Sequence, residues 1–172
     1  MKKYLTLSVL LLFNYFICYA QNDSAIYLKG YEKTNYLRYF GSLHELKKAS
    51  ISNLEHSYYC VVVLKVDSTA KVTNLEIIEM PDAILPQLAK KYIESVFWST
   101  QDKWVIENKN LFAKKPARSL FFDVDLLKIN QSIDQRLKDY EKHMEFVLFV
   151  MPHHPSLKDY DPRHLNLVTL AF

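Results

Sequence analysis

Glycine is scarce in this chain of 172 residues, which contains only Gly30 and Gly41. A dinucleotide-binding fingerprint, a P-loop and a nucleophile elbow each need closely spaced glycines, because the backbone there approaches a phosphate or turns sharply. The two glycines form no such motif. The sequence therefore argues against several large classes of nucleotide-binding and hydrolytic enzymes.

Cysteine is equally scarce, with Cys18 and Cys60 only. Cys18 lies in an N-terminal segment that we expect to be removed, which leaves Cys60 without a disulfide partner in the chain. Lipid attachment at Cys18 is an alternative, but a lipobox needs a small residue directly before the cysteine, where Ile17 stands. Cys60 opens an apolar strand, which is typical of an inert buried thiol.

The chain has no apolar run long enough to span a bilayer, which takes roughly 20 residues. The basic pair Lys2 and Lys3 precedes a shorter apolar run, Leu5–Phe16, and the small residue Ala20 follows it. This order predicts a secretory signal peptide over residues 1–20, cleaved after Ala20. We therefore expect export, most simply to the periplasm of a Gram-negative bacterium, with no retained transmembrane helix.

Charges of the two signs nearly balance, with 22 basic and 19 acidic residues and a net charge of +3. Without Lys2 and Lys3, 20 basic residues remain against 19 acidic ones, a net charge of +1. A nucleic-acid partner normally requires a concentrated basic face. The sequence therefore predicts no nucleic-acid binding.

A β-hairpin is predicted in the middle of the chain. Ser57–Val66 is rich in β-branched and aromatic residues, and both of its faces are largely apolar. It should therefore be a central strand covered on both sides. A second strand returns towards Pro81, and Asp67 and Ser68 can hydrogen-bond locally to hold the turn.

Two helices are predicted around the hairpin. Ser42–His56 has Ser42 as a possible N-cap, with Glu45 placed to complete a capping box. Asp82–Trp98 has the cleanest helical periodicity in the chain. Its predicted apolar stripe comprises Leu85, Leu88, Ala89, Tyr92, Ile93, Val96 and Phe97.

A third strand is predicted over Ala117–Leu127, where side chains alternate. One face carries Leu120, Phe122, Val124 and Leu126, and the other carries Ser119, Phe121, Asp123 and Asp125. The pattern indicates a half-buried strand with its acidic face in solvent. The order helix, strand, strand, helix, strand predicts an α+β fold, a small antiparallel sheet with two helices packed on one face.

The last part of the chain is predicted to be a helical and extended extension. Asn130 can N-cap a helix with Ile133, Leu137, Tyr140 and Met144 on one stripe. The apolar run Met144–Met151 is either the buried end of that helix or another strand. Leu165–Phe172 is predicted to be a strand.

From Leu43 to Leu127 the chain resembles the C-terminal domain of TonB-type energy transducers, in a divergent periplasmic form. Val66–Val72 fits the family's Val-Asp-x-x-Gly-x-Val turn, with Ala70 in place of the usual glycine. Trp104 fits the tryptophan of the loop that precedes the family's last strand. The proline that commonly follows that tryptophan, the Pro-rich spacer and the membrane anchor are absent.

The resemblance implies four segments and a binding function. Residues 1–20 are the signal peptide, 21–41 an aromatic-rich segment, 42–127 the TonB-like domain and 128–172 the extension. In the family, the last strand receives an extended segment of an outer-membrane receptor by sheet-edge pairing. The corresponding partner-binding residues here are Ser119, Phe121, Asp123 and Asp125, provided that the extension leaves this edge free.

Two other functions remain as alternatives. One is a structural or adaptor domain with a closed sheet edge, and the other is a small metal-binding secreted protein. The metal ligands would then be His153, His154 and His164 in the Pro-containing tail. Adjacent histidines in a polar loop are usually solvated, so we expect no bound metal there, no cofactor and no enzymatic activity.

Overall fold

The computed structural model describes residues 26–29, 36–107, 117–154, 157 and 165–171. Within these ranges no helix is both long enough and apolar enough to cross a membrane. The mixed α and β content confirms the predicted α+β class. In chain order the elements are β1 (Ile26–Leu28), α1 (Tyr36–Lys47), a 3-10 turn (Lys48–Ile51), β2 (Tyr58–Asp67), β3 (Val72–Glu79), α2 (Gln87–Trp98), β4 (Trp104–Ile106), β5 (Ala117–Leu127), α3 (Ile133–Glu145), a π-helical turn (Phe146–Val150), a second 3-10 turn (Met151–His153) and β6 (Leu165–Ala171).

The strands of the described residues form two sheets. The larger sheet has the order β3-β2-β5-β6, and the smaller one pairs β1 with β4. Strand β2 pairs antiparallel with both β3 and β5, as predicted, whereas β6 lies parallel to β5. The strands β1 and β4 were not predicted, because three residues carry too little alternation to distinguish a strand from a loop.

The predicted hairpin is confirmed, and Asp67 holds its turn. One carboxylate oxygen of Asp67 accepts hydrogen bonds from the backbone N–H groups of Thr69 (2.8 Å) and Lys71 (3.0 Å) and from the Thr69 hydroxyl (2.7 Å). These bonds, led by the Thr69 hydroxyl, lower the pKa of Asp67. Ala70 takes a left-handed conformation with φ 66°. This conformation normally favours glycine, because a Cβ atom is strained there.

Helix α1 begins earlier than predicted. It starts at Tyr36, so Ser42 lies inside the helix and its hydroxyl donates to the carbonyl of Tyr39 at 2.8 Å. The expected N-cap at Ser42 is therefore wrong. Tyr39 and Phe40 are buried in the core. Burial of these two rings extends the helix past a local capping signal, since packing outweighs propensity in short helices.

Helix α2 confirms the predicted stripe but starts at Gln87, directly after Pro86. The residues before it form a tight turn with a bridge between Met80 and Ala83. Leu88 is the exception in the stripe, because it is 41% exposed. The buried members of the helix are Ala89, Tyr92, Ile93, Val96 and Phe97.

Both faces of the larger sheet are covered, as the apolar faces of β2 predicted. Helices α1 and α2 and the small sheet cover the first face, where Phe122 of β5 meets Phe97 at a ring-centroid distance of 5.1 Å. Helix α3 and the turns after it cover the second face. The buried apolar residues of this second core are Tyr59, Val61, Val63, Ile78, Met80, Phe121, Phe146, Val147, Met151 and Leu157.

Helix α3 is N-capped by Ser132, whose hydroxyl oxygen accepts from the Gln135 N–H at 3.3 Å, so the predicted cap at Asn130 is wrong by two residues. Ile133 and Leu137 of the predicted stripe are exposed. The face of the helix that packs against the sheet is instead the one that carries His143. The run after α3 continues as helical turns, of which Phe146, Val147 and Met151 are buried, so the helical alternative for Met144–Met151 is correct.

We expect Phe122→Ala to lower the free energy of unfolding by about 3–5 kcal/mol, because it empties a fully buried site between Phe40 and Phe97. Urea unfolding of the two proteins measures this difference. Phe149→Ala is the matched control, since Phe149 is 69% exposed, and its effect should stay within about 0.5 kcal/mol. Equal effects of the two substitutions would contradict the assignment of Phe122 to the centre of the core.

Candidate functional site

The strand predicted to offer an open edge lies in the interior of the sheet. Strand β6 pairs with β5 from Phe121↔Leu165 to Leu127↔Ala171, and β2 pairs along the other side. The condition for partner binding at Phe121, Asp123 and Asp125, an edge left free by the extension, is therefore not met. Ser119 lies before the stretch paired with β6 and is half-buried. The strand at Leu165–Phe172 was predicted, but its partner was not, because pairing between distant segments leaves no local signal.

Strand β3 is one of the two outer strands of the larger sheet, and β6 is the other. Among the described residues β3 pairs only with β2. Thr73 and Asn74 are exposed, and Leu75 and Ile77 are half-buried against the first core. This edge therefore combines backbone groups without a neighbouring strand with apolar side chains at alternate positions.

The start of α2 is held beside the end of β3 by Glu79. The Glu79 carboxylate accepts from the backbone N–H of Leu85 at 2.6 Å and pairs with the Lys90 ammonium at 2.7 Å. Ile84, at 72% exposure, and Leu88 flank this attachment. Exposed apolar side chains thus lie next to the point at which the open edge ends.

A second candidate site is a buried cluster of Asp123, Asp125 and His143 on the second face of the sheet. The three residues are 2%, 5% and 0% exposed. Each offers one oxygen or nitrogen atom such that all three atoms lie within 4.8 Å of one another. Strand β5 supplies both carboxylates from one face, because residues two apart on a strand point the same way. Helix α3, which covers this face of the sheet, supplies the imidazole.

The hydrogen bonds within the cluster leave two atoms unpaired. His143 Nε2 is hydrogen-bonded to Asp123 Oδ1. The Thr169 hydroxyl of β6 donates to Asp125 Oδ2 at 3.4 Å. Across the part of the chain that the structure describes, Asp125 Oδ1 and His143 Nδ1 are buried without a hydrogen-bond partner.

Aromatic rings make the surroundings of the cluster apolar. The Tyr59 ring stacks on His143 with centroids 5.3 Å apart, and Tyr140 and Phe146 lie nearby. Burial, followed by repulsion from Asp123, raises the pKa of Asp125 to about 7. Burial and then the Asp125 charge raise the pKa of Tyr140 to about 12. The cluster can therefore hold a proton or a cation.

Sequence reasoning placed Asp123 and Asp125 on one strand face but expected that face to be in solvent. The apolar second face of β2 could have corrected this expectation. It must be buried by another layer, and such a layer also covers the neighbouring face of β5. His143 was not singled out, because a lone histidine on an amphipathic helix carries no motif. Cys60 is buried, as predicted, and burial followed by the charges of Asp123 and Asp125 raises its pKa, which makes the thiol unreactive.

Only two of the three tail histidines named as alternative metal ligands, His153 and His154, lie in the described residues. His153 is exposed and His154 is half-exposed, and neither joins a group of potential metal ligands there. His164 lies outside the described residues. The only such group that the described ranges contain is the Asp123, Asp125 and His143 cluster.

Comparison of the chain with family models, with curated proteins and with solved structures finds no match.

We expect Asp125→Asn to stabilise the metal-free protein at pH 8. The pKa of Asp125 is raised from 3.8 to about 7 in the folded state, so the native protein holds a proton that the unfolded chain loses. The contribution of Asp125 to the free energy of unfolding is present at low pH. It decreases by on the order of 3 kcal/mol as the pH rises from about 4 through 7. Urea unfolding between pH 5 and 8 in a chelator measures the loss.

Between pH 5 and 8 the free energy of unfolding of Asp125→Asn should change less than that of the parent. Asp82→Asn is the control, because Asp82 is exposed and should leave the profile unchanged. If the parent and Asp125→Asn lose stability in parallel as the pH rises, Asp125 is not the group that titrates.

Proposed function

We propose that this protein is an exported binding module that takes up an extended segment of a partner protein as an additional strand on β3. The observation that carries the proposal is the outer edge of β3, which pairs with no strand other than β2 among the described residues and carries the half-buried Leu75 and Ile77. An open edge offers backbone N–H and C=O groups to a peptide, and alternate side chains add selectivity. The proposed binding strand is therefore β3, whereas the sequence resemblance implied β5.

Displacement of β6 from β5 by a partner is the less favourable route. Val168 and Leu170 of β6 are 0% and 1% exposed, and re-exposing each side chain costs about 1.5–3 kcal/mol. The end of β6 is also fastened, because His44 Nε2 donates to the carbonyl oxygen of Ala171 at 2.6 Å. An incoming strand would have to replace these contacts as well as the β5–β6 ladder.

The nature of the partner follows from the resemblance and the predicted export. TonB-type domains receive extended segments of outer-membrane receptors, and the predicted signal peptide would place this chain in the same compartment. We therefore take such a receptor segment as the partner. Ile84 and Leu88 would give apolar side chains of that segment a surface beside the edge.

Amide-shift mapping tests the proposal. Isotopically labelled protein is titrated with extended peptides from the N-termini of outer-membrane receptors. We expect saturable shifts concentrated on Val72–Glu79 and on the neighbouring turn at Ala83–Leu85, because new main-chain hydrogen bonds form along β3. The same peptides with N-methyl groups at alternate positions are the matched control and should bind far more weakly, since they cannot pair with a strand.

Two outcomes would contradict the proposal. Shifts on Ala117–Leu127 accompanied by loss of exchange protection in Leu165–Ala171 would mean that β6 is displaced and that β5 is the binding strand. An absence of saturable shifts with every peptide would favour a structural or adaptor domain instead.

A further inference from the structure

We propose that Asp123, Asp125 and His143 bind one divalent transition-metal cation, with Zn²⁺ as the expected occupant, and that the cation fastens α3 to the sheet. Two observations carry this inference. The three residues place one potential ligand atom each within 4.8 Å of the others. Asp125 Oδ1, on a side chain that is almost fully buried, has no hydrogen-bond partner among the described residues. The inference does not depend on the peptide-binding proposal.

Charge is the first argument for a cation. Two carboxyl groups and one imidazole are buried together in a space walled by Tyr59 and Phe146. An unpaired buried charge costs several kcal/mol. A divalent cation balances the charge that two carboxylates carry when ionised, and no Lys or Arg side chain is bonded to Asp123 or Asp125 in the described structure.

The donor atoms select the kind of cation. One imidazole nitrogen and two carboxylate oxygens suit Zn²⁺ and neighbouring first-row metals. Calcium prefers six to eight oxygen ligands and magnesium a largely hydrated octahedron, so both fit this set poorly. With three protein ligands, the fourth position of a tetrahedral zinc ion would be taken by a water molecule.

Neighbouring residues already orient the ligands, as the surroundings of metal sites generally do. The Thr169 hydroxyl donates to Asp125 Oδ2 and thereby holds one oxygen of that carboxylate. The Tyr59 ring stacks on His143 at an interplanar angle of 27° and fixes the plane of the imidazole. The ligands come from β5 and α3, so the cation would join the sheet to the helix that covers its second face.

Metal titration of tag-free, chelator-treated protein tests the inference. We expect Zn²⁺ to bind at one equivalent per chain and to raise Tm, and Co²⁺ to give the visible absorption of a low-coordinate nitrogen and oxygen site. Asp125→Asn should still fold, because it removes a buried charge, but its Zn²⁺ affinity should fall by about 100-fold or more. His143→Gln removes the only nitrogen ligand and should abolish the cobalt spectrum.

The double variant His153→Ala/His154→Ala is the matched control, because it removes two tail histidines and leaves the cluster intact. It should keep the stoichiometry, the affinity and the Tm shift of the parent. Binding that survives Asp125→Asn but is lost in the double variant would assign the metal to the tail and overturn the inference. An absence of one-equivalent binding by the parent would also overturn it.

Discussion

The structure depends on the burial of β5 from four directions. Strands β2 and β6 pair along its two sides, and helices cover both of its faces. All six residues of Phe121–Leu126 are consequently buried. Any polar group on this strand must therefore be satisfied within the protein, since an unsatisfied buried polar group costs about 1–3 kcal/mol and a charge costs more. Burial of the Asp123 and Asp125 carboxylates therefore costs free energy that the same residues would not cost at a solvated edge.

The sequence indicated most of the elements correctly but not their arrangement. The hairpin, the stripe of α2, the bounds Ala117–Leu127 and a strand beginning at Leu165 all follow from local periodicity, which a single sequence contains. The parallel pairing of β5 with β6 does not, because the partners of a strand are chosen by packing over the whole chain. Helix α1 shows the same limit, since Ser42 has the local features of a cap while Tyr39 and Phe40 are buried before it.

The misplacement of Asp123 and Asp125 has a specific physical cause. Alternation of apolar and polar residues normally marks a strand with one solvated face. Here the polar positions face α3, where His143 provides a partner for Asp123. A carboxylate pair and a histidine on separate elements produce no spacing motif, so the cluster could be found only from the fold. The alternation correctly predicted the two faces of β5. The polar face, however, contacts α3 and not solvent.

One feature of the sequence did require a cover for the second face. Both faces of β2 are apolar, and Val61 and Val63 would be exposed if the sheet carried helices on one face only. The described residues up to Leu127 supply helices on the first face only. The second layer must then come from residues beyond Leu127, and α3 and the turns after it provide it. The extension is therefore part of the core rather than an appendage, since β6 completes the sheet and α3 covers it. The same extension also closes the edge of β5, because β6 pairs along it from Phe121 to Leu127.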